Sequence, residues 1–286
     1  MRAQPIDLSR PYLQLLGLTY DVIQSLEGTM RERRRPSGLL VVDARWPLCQ
    51  RLAIKMFFHA ATIYQLRQAT SAPVSAGIRF FDHASARIIA RSVLEIYLTM
   101  FEVFFEPDTD DLLEFRFAQW QLSSLLRRTD LFRKMAPEDS KYQSEAARLQ
   151  ERIEEMREHI QRTEAFSSLT PKQQHRALEG KKMPPRSRRE MLEACGLGVQ
   201  TFGLLYGAWS SDVHSDELSL ASIVDAASQG DQVSRIEATM SAIAMLLAKM
   251  ILDYAETFSE AKRVCNARWD GFSLAQIWAE AAGGLP

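Results

Sequence analysis

Apolar residues recur at intervals of three and four along nearly the whole chain, whereas runs that alternate apolar and polar residues are almost absent. The first pattern is typical of amphipathic helices and the second of half-buried strands. The sequence therefore predicts an all-α fold, a multi-helix bundle with a projecting helical hairpin. No internal repeat is visible in the sequence, which disfavours a solenoid.

Prolines, glycines and capping residues divide the chain into predicted helices. The predicted helices cover about 8–33, 43 or 46 to 70, 78–105, 108–135, 138–166, 187–194, 199–214, 231–264 and a short stretch after 273. We expect one domain over 1–286, described by the regions that follow. These are a core from about 40–105 and 190–262, a helical hairpin arm at about 108–166 and a basic loop at about 170–189.

The helix predicted for 138–166 is rich in interleaved glutamate and arginine and has few apolar residues. Its apolar positions are Leu149, Ile153, Met156 and Ile160, which repeat at helical spacing. This pattern predicts a solvated helix that packs along one narrow side.

The helix predicted for 78–105 is apolar over most of its circumference, but one row of polar residues interrupts it. His83, Arg87, Arg91 and Glu95 follow one another at intervals of four and so share one face. We call this row the first polar line. Because a buried charge is costly unless it is paired, Arg91 and Glu95 either form a structural ion pair or point into a polar cavity.

A second polar line lies in the helix predicted for 199–214, where Tyr206, Ser210 and His214 also recur at intervals of four. Hydroxyl groups donate and accept hydrogen bonds, and an imidazole changes charge near neutral pH, so the three could grip a ligand or handle a proton. Alternatively, the hydroxyls satisfy core hydrogen bonds and the histidine caps the helix end. If the two helices pack as antiparallel neighbours, both lines border one small cavity.

Three segments carry a resemblance to a known family: RSVLEIYLTM, GKKMPPRSRREMLEACGL and YGAWSSDVHSDELSL. Together they resemble a bacterial family of uncharacterised all-helical proteins, in which an Arg-Ser-x-x-Glu helix is followed by a Tyr-x-x-x-Ser-x-x-x-His segment. The similarity covers about residues 87–220 and implies the helical fold and the importance of the two polar lines. It implies no activity, because the family is of unknown function.

The spacing from Arg152 to His159 resembles the mark of the helical ribonuclease and toxin superfamily, in which a histidine follows an arginine after four to six residues. Arginine is frequent enough in this chain for such matches to arise by chance. A better pair for a metal-independent ribonuclease or phosphoryl-transfer hydrolase is His214 as general acid or base, with Arg91 stabilising developing charge. This pair departs from the local motif of that superfamily.

A basic, proline-rich segment at 170–189 contains Lys181 and Lys182 and a single acidic residue, Glu179. Locally unbalanced positive charge indicates contact with the phosphate of a nucleotide or nucleic acid, and a solvated linker is the alternative interpretation. The formal net charge of the 286-residue chain is −1, so any attraction to nucleic acid must be local.

The three cysteines, Cys49, Cys195 and Cys265, are far apart and lack metal-site or redox spacing, which predicts reduced, buried thiols. The N-terminus lacks a signal-peptide pattern, and the longest apolar run, 240–252, is shorter than the roughly 20 residues that span a bilayer. Common nucleotide, zinc-protease and serine-hydrolase fingerprints are missing. We therefore expect a cytoplasmic protein without membrane contact, cofactor or metal.

The leading functional hypothesis is a cytoplasmic helical module that binds a phosphate-bearing ligand or nucleic acid, in the context of bacterial defence or stress response. The alternatives are the hydrolase described above and a structural module that uses the arm at 108–166 to contact other proteins. The sequence leaves open whether the protein is an enzyme, and it is compatible with a homo-oligomer. The candidate ligand-binding residues are Arg87, Glu95, Tyr206, Ser210, Lys181 and Lys182, and the candidate catalytic residues are His214 and Arg91.

Overall fold

The fold is known from a computed structural model of the chain. It describes residues 8–26, 33–34, 40–41, 45–68, 70–71, 79–135, 140–214, 217, 220–221 and 228–284. These residues are predominantly helical, which confirms the predicted all-α multi-helix bundle. The strands among them form two antiparallel pairs of two residues each, β1 (Arg33–Arg34) with β2 (Leu40–Val41) and β3 (Thr70–Ser71) with β4 (Arg79–Phe80).

The described residues form a series of helices along the chain. They are α1 (Ser9–Gln24), α2 (Arg45–Leu66), α3 (His83–Met100), α4 (Asp110–Met135), α5 (Ser140–Gln161), α6 (Glu164–Ser167), α7 (Pro171–Leu178), α8 (Arg188–Ala194), α9 (Val199–His214), α10 (Gln229–Thr257), α11 (Ser259–Ala267) and α12 (Trp269–Ala282). A π-helical turn, Phe101–Phe105, directly follows α3. Within the described residues, no helix is both long enough and apolar enough to cross a membrane.

The contacts between Cα atoms divide the chain into two compact units. Unit 1 comprises 1–100 and 192–286, and unit 2 comprises 101–191. The single domain, with its core, arm and basic loop, stays a prediction.

Helix α10 lies at the centre of unit 1, where it packs against α1, α2, α3, α11 and α12. Such a position requires apolar residues on most of its circumference. Its buried side chains include Ile236, Met240, Ile243, Leu246, Leu247, Met250, Ile251 and Tyr254. Helix α3 packs against α2, α9 and α10, and this arrangement encloses its apolar faces and positions its polar face against α9.

Unit 2 is built on the pairing of α4 with α5. The apolar positions predicted to form a narrow side of α5 are confirmed, because Leu149, Ile153 and Ile160 are buried and Met156 packs against them. They meet Phe115 and other apolar residues of α4. The opposite side of α5 carries its charged residues to solvent, as interleaved charge predicts.

Several helix ends differ from the predicted ones for local reasons. The helix predicted for 138–166 is two helices, because the Thr163 hydroxyl accepts a hydrogen bond from the Phe166 N–H at 3.2 Å and caps a new helix. The helix predicted for 231–264 is interrupted at Phe258, which has an extended backbone and packs against Trp46. The predicted first helix stops at Gln24, and 27–32 of that span lie outside the described residues.

Candidate functional site

One residue of each polar line meets the other between α3 and α9. A nitrogen of Arg87 (Nη1) lies 3.4 Å from Asp212 Oδ2, and Arg91 Nη2 donates a hydrogen bond of 3.0 Å to the Tyr206 hydroxyl. The later residue of α3 contacts the earlier residue of α9, so the two helices are antiparallel neighbours. Antiparallel packing is the condition under which both polar lines were expected to border one small cavity.

Arg91 is held by an aromatic ring rather than by a carboxylate. Its guanidinium carbon lies 5.0 Å from the ring centroid of Tyr206, and Tyr206 itself is buried. Among the described residues, no carboxylate lies within ion-pair distance of Arg91. A cation–π contact and a neutral hydroxyl stabilise a guanidinium without cancelling its charge. The positive charge of Arg91 therefore stays available to an anion.

Arg87 pairs with a carboxylate that the sequence analysis missed. The Asp212 side chain is 1% exposed and the Arg87 side chain is 18% exposed, so the contact is largely removed from solvent. Asp212 lies six residues after Tyr206 and is off the second polar line, which explains why periodicity alone did not select it. The signal that could have found it is a single acidic residue in a mostly apolar helix, where charge needs a partner.

His83 and Arg235 complete the site from α3 and α10. Burial lowers the pKa of His83, and the charges of Arg87 and Arg235 lower it further, while Asp212 and the Phe81 carbonyl act in the opposite direction. The imidazole is therefore neutral near pH 7. Its Nε2 atom is buried and has no hydrogen-bond partner among the described residues. Arg235 is half-buried, and none of the described carboxylates lies within ion-pair distance of it.

We call Arg87, Arg91, Arg235, Asp212, Tyr206 and His83 the arginine cluster. Arg91 and Arg235 have no carboxylate within ion-pair distance among the described residues, and the histidine is neutral, so positive charge exceeds negative charge among the described side chains of this cluster. Partly buried charge without a counter-charge is unfavourable, and guanidinium groups match the geometry of phosphate and carboxylate. The arrangement is chemically suited to hold an anion.

The remaining members of the polar lines lie at the edge of this cluster. Glu95 is exposed, and no described contact joins it to Arg91, so the ion pair, one of the two alternatives for these residues, is not formed among the described residues. Ser210 donates its hydroxyl to the Tyr206 carbonyl at 2.6 Å, so this hydroxyl is used within α9. His214 is exposed and lies eight residues beyond Tyr206, about 12 Å along the helix axis at the usual rise per residue.

The basic segment at 170–189 belongs to unit 2, and glutamates accompany its charges. Lys181 Nζ lies 2.7 Å from Glu179 Oε2, and Lys182 Nζ contacts Glu102. Arg186 Nη1 lies 2.7 Å and 2.6 Å from the two carboxylate oxygens of Glu106. Glu102 and Glu106 are about 80 positions earlier in the chain. A count of the charges within 170–189 could therefore not include these two glutamates.

The Arg152–His159 spacing does not mark a site in the structure. His159 Nε2 lies 2.7 Å from Glu114 Oε1, and Arg152 is exposed, so the Arg152–His159 spacing places no catalytic pair together. Within the described part of the chain, no group of three or more His, Cys, Asp or Glu side chains could hold a metal ion. The three cysteines are free and buried, as the sequence predicts.

Fold and site together define a class: an all-α protein with a half-buried arginine cluster between antiparallel helices. A family model matches residues 56–232, more than half of the chain, and the chain belongs to that family, DUF5677, a family of unknown function. This confirms the resemblance to an uncharacterised helical family. The match includes α3 and α9 in full, whereas Arg235 lies beyond it. No curated protein and no solved structure matches the chain.

Proposed function

We propose that the protein is a binding module for a small phosphate-bearing ligand, and that the arginine cluster holds the phosphate. The observation that carries the proposal is the guanidinium of Arg91, which is held against Tyr206 without a carboxylate partner among the described residues. Arginine binds phosphate through two parallel N–H donors, and a half-buried guanidinium does so with less competition from water.

A small ligand is favoured over nucleic acid. Nucleic acid is bound by several exposed cations that follow the phosphate backbone, whereas the Arg87 side chain is only 18% exposed. The basic segment supports this choice, because Lys181, Lys182 and Arg186 each contact a glutamate. Nucleic acid binding stays the alternative outcome of the experiment below.

The wider context of this proposal combines the resemblance to a bacterial family with the expectations drawn from the sequence. A cytoplasmic location, a bacterial origin and a role in defence or stress response are parts of the proposal, as is the option of a homo-oligomer. In the cytoplasm, a soluble phosphate ester would reach the protein without crossing a membrane.

Isothermal titration calorimetry tests the proposal. The probes are inorganic phosphate, AMP and a short single-stranded RNA, and adenosine is the matched probe without phosphate. We expect AMP or inorganic phosphate to bind, adenosine not to bind, and Arg91→Gln to weaken binding roughly ten-fold or more, as for loss of one charge-assisted hydrogen bond. Arg51→Gln, at an exposed arginine of α2, is the control and should bind as the parent does.

Four results contradict the proposal. The first three are equal affinity of adenosine and AMP, parent-like affinity in Arg91→Gln, and no saturable binding of any phosphate probe. The fourth is affinity that is independent of salt, because salt screens the attraction between guanidinium groups and phosphate. Tight binding of the RNA alone would transfer support to the nucleic acid alternative.

A second candidate function is metal-independent hydrolysis of a phosphate ester or of RNA, which is the activity of the ribonuclease and toxin superfamily. The observation that favours it is His83, a neutral imidazole with an unpartnered Nε2 among the described residues, close enough to Arg87 and Arg235 for their charges to lower its pKa. A neutral imidazole is the form that acts as a general base.

The hydrolase is tested by incubating the protein with RNA and with p-nitrophenyl phosphate in the presence of EDTA. Cleavage is expected to fall in Arg91→Ala and in His83→Ala or His214→Ala. Cleavage that survives all three substitutions would come from another source and would exclude this site. The histidine whose removal abolishes cleavage is then the general acid or base.

A further inference from the structure

A separate cavity of about 140 Å³ lies wholly within unit 2. One of its walls is a single face of α4, because its contributing residues repeat at intervals of three and four: Arg116, Gln119, Trp120, Ser123 and Arg127. The other wall is the end of the basic segment, which includes Lys182, Met183 and Arg186. The π-helical turn adds Glu102.

The wall formed by the basic segment is held firmly against α4. Gly180 has a φ of +74°, and a Cβ atom there would lie 2.7 Å from Leu126 Cδ1 and 3.2 Å from Ser123 Cα. Gln119, which is 4% exposed, donates to the Lys181 carbonyl at 3.3 Å and accepts from the Met183 N–H at 3.4 Å. These contacts fix the backbone next to Lys182, so the cavity exists before any ligand enters.

Positive charge is in excess around the cavity. Arg116 and Arg186 share one carboxylate, that of Glu106, and Lys182 contacts another, that of Glu102. Burial raises the pKa of Glu106, but hydrogen bonds from Arg186 and Arg116 outweigh this and keep the pKa below its ordinary value, so the carboxylate is ionised.

Arg127 has a different environment from the other cations. Its Nε donates to the Ser123 carbonyl at 3.2 Å, and no carboxylate of the described residues lies within ion-pair distance of its guanidinium. Among the described residues, four cations therefore accompany two carboxylates in and beside this cavity, and the excess positive charge lies on Arg127 and on the Arg116–Arg186 pair that shares Glu106. Lys182 is paired with Glu102, but its side chain is 57% exposed and its ammonium group has further N–H donors to offer.

An aromatic side chain forms the apolar part of the cavity wall. Trp120 packs against Phe104 and Phe117, each at 6.1 Å between ring centroids, and also lines the cavity. Because neighbouring rings support it, the indole offers a fixed apolar surface. With a volume of about 140 Å³, the cavity has room for several water molecules, which suits a phosphoryl group or another group of similar size.

We propose that this cavity binds a small phosphate monoester. Its phosphoryl group contacts Arg127 and Lys182, and its carbon part lies against Trp120. At neutral pH such a monoester carries about two negative charges, which match the excess charge of the cavity. This site is additional to the arginine cluster in unit 1, and it gives a role to the basic segment.

The test uses the full chain with Arg91→Gln as background, so that binding at the arginine cluster is suppressed. Phenyl phosphate is titrated by calorimetry, with phenol as the matched neutral probe. We expect phenyl phosphate to bind with quenching of tryptophan fluorescence, and Arg127→Gln and Lys182→Gln each to weaken binding roughly ten-fold or more. The quenching should disappear in Trp120→Phe.

Arg128→Gln is the matched control, because Arg128 is the next residue and lies 5.2 Å from the Phe132 ring centroid, away from the cavity lining. It should bind phenyl phosphate within two-fold of the background chain, roughly the limit for an uninvolved surface charge. Circular dichroism and thermal unfolding verify that every variant is folded.

The proposal is overturned if phenyl phosphate does not bind in the Arg91→Gln background. It is also overturned if phenol binds equally well, if Arg127→Gln binds like the background chain, or if Arg128→Gln loses as much affinity as Arg127→Gln. These outcomes are separate from those of the arginine cluster, because Arg91 is absent throughout. Failure of one site therefore leaves the other proposal in place.

Discussion

Asp253 provides the clearest test of how burial of charge affects the stability of unit 1. Its carboxylate accepts a hydrogen bond of 2.9 Å from the Tyr97 hydroxyl, and Tyr97 is fully buried. Burial raises the pKa of Asp253 from 3.8 to about 6, against the opposing effects of Lys249 and of the Tyr97 hydrogen bond, and Glu256 raises it slightly more. The folded protein thus holds the proton more tightly than the unfolded chain does.

The sign of the effect follows from this difference. Because the pKa is higher in the folded state, protonation of Asp253 favours folding; the benefit is complete below about pH 3.8 and is lost as the pH rises through about 6. A shift of about two units corresponds to about 3 kcal/mol at pH 8. Asparagine cannot ionise, yet its carbonyl oxygen can accept the same hydrogen bond from Tyr97.

We therefore expect Asp253→Asn to raise the free energy of unfolding at pH 8 by about 1–3 kcal/mol. The gain lies near the lower value if the loss of the attraction between Asp253 and Lys249 offsets part of it. The gain should shrink as the pH falls from 6 towards 4. Urea unfolding followed by circular dichroism measures both quantities. Asp270→Asn, at an exposed position of α12, is the control and should change stability by less than about 0.5 kcal/mol. A gain that is the same at every pH, or a loss at pH 8, would refute the reasoning.

Three further predictions concern packing, backbone conformation and thiol chemistry. Leu94→Ala removes a fully buried side chain and should lower the free energy of unfolding in urea by about 3–5 kcal/mol. Leu204→Ala, at a side chain that is 70% exposed, should lower it by less than about 0.5 kcal/mol. Equal losses in the two variants would contradict the assigned burial. Gly180→Ala should destabilise the protein by more than about 1 kcal/mol, because Gly180 has a positive φ and its Cβ would lie close to Leu126. Gly207→Ala, in a helix with free space around it, should stabilise the protein by about 0.5–1 kcal/mol. A Gly180→Ala variant as stable as the parent would contradict the positive φ at this position. Burial raises the pKa of Cys49 to about 12 and that of the other two thiols to about 11, so none should react with Ellman's reagent at pH 8 until urea unfolds the protein.

Much of the fold was predictable because helical periodicity is a local property of the sequence. The span 199–214 was predicted with its observed ends, and the apolar side of α5 was correctly chosen from its spacing. The breaks at Thr163 and Phe258 were missed because each depends on a specific contact, a hydroxyl cap in one case and aromatic packing in the other. A periodic pattern continues through such positions and does not reveal them.

The site was predictable only in part. Arg87, Arg91 and Tyr206 were selected because they violate the apolar periodicity of their helices, and the structure brings them together. Asp212 and Arg235 were missed because a partner's identity depends on how helices pack, which spacing within one helix cannot show.

The charge of the basic segment was also predictable only in part, because some of its partners lie far away in the sequence. Its excess charge is real within 170–189, but Glu102 and Glu106 offset part of it across about 80 positions of sequence. Long-range pairing of this kind cannot be deduced from one sequence.

The central claim is that the arginine cluster holds a phosphate group, and NMR of the histidine rings tests it most directly. The chain has five histidines, so the imidazole signal of His83 can be assigned by substitution. On titration with AMP, the account predicts a saturable shift of the His83 signal that is lost or strongly weakened in Arg91→Gln. Binding of AMP without any change at His83, or with the same change in Arg91→Gln, would contradict it.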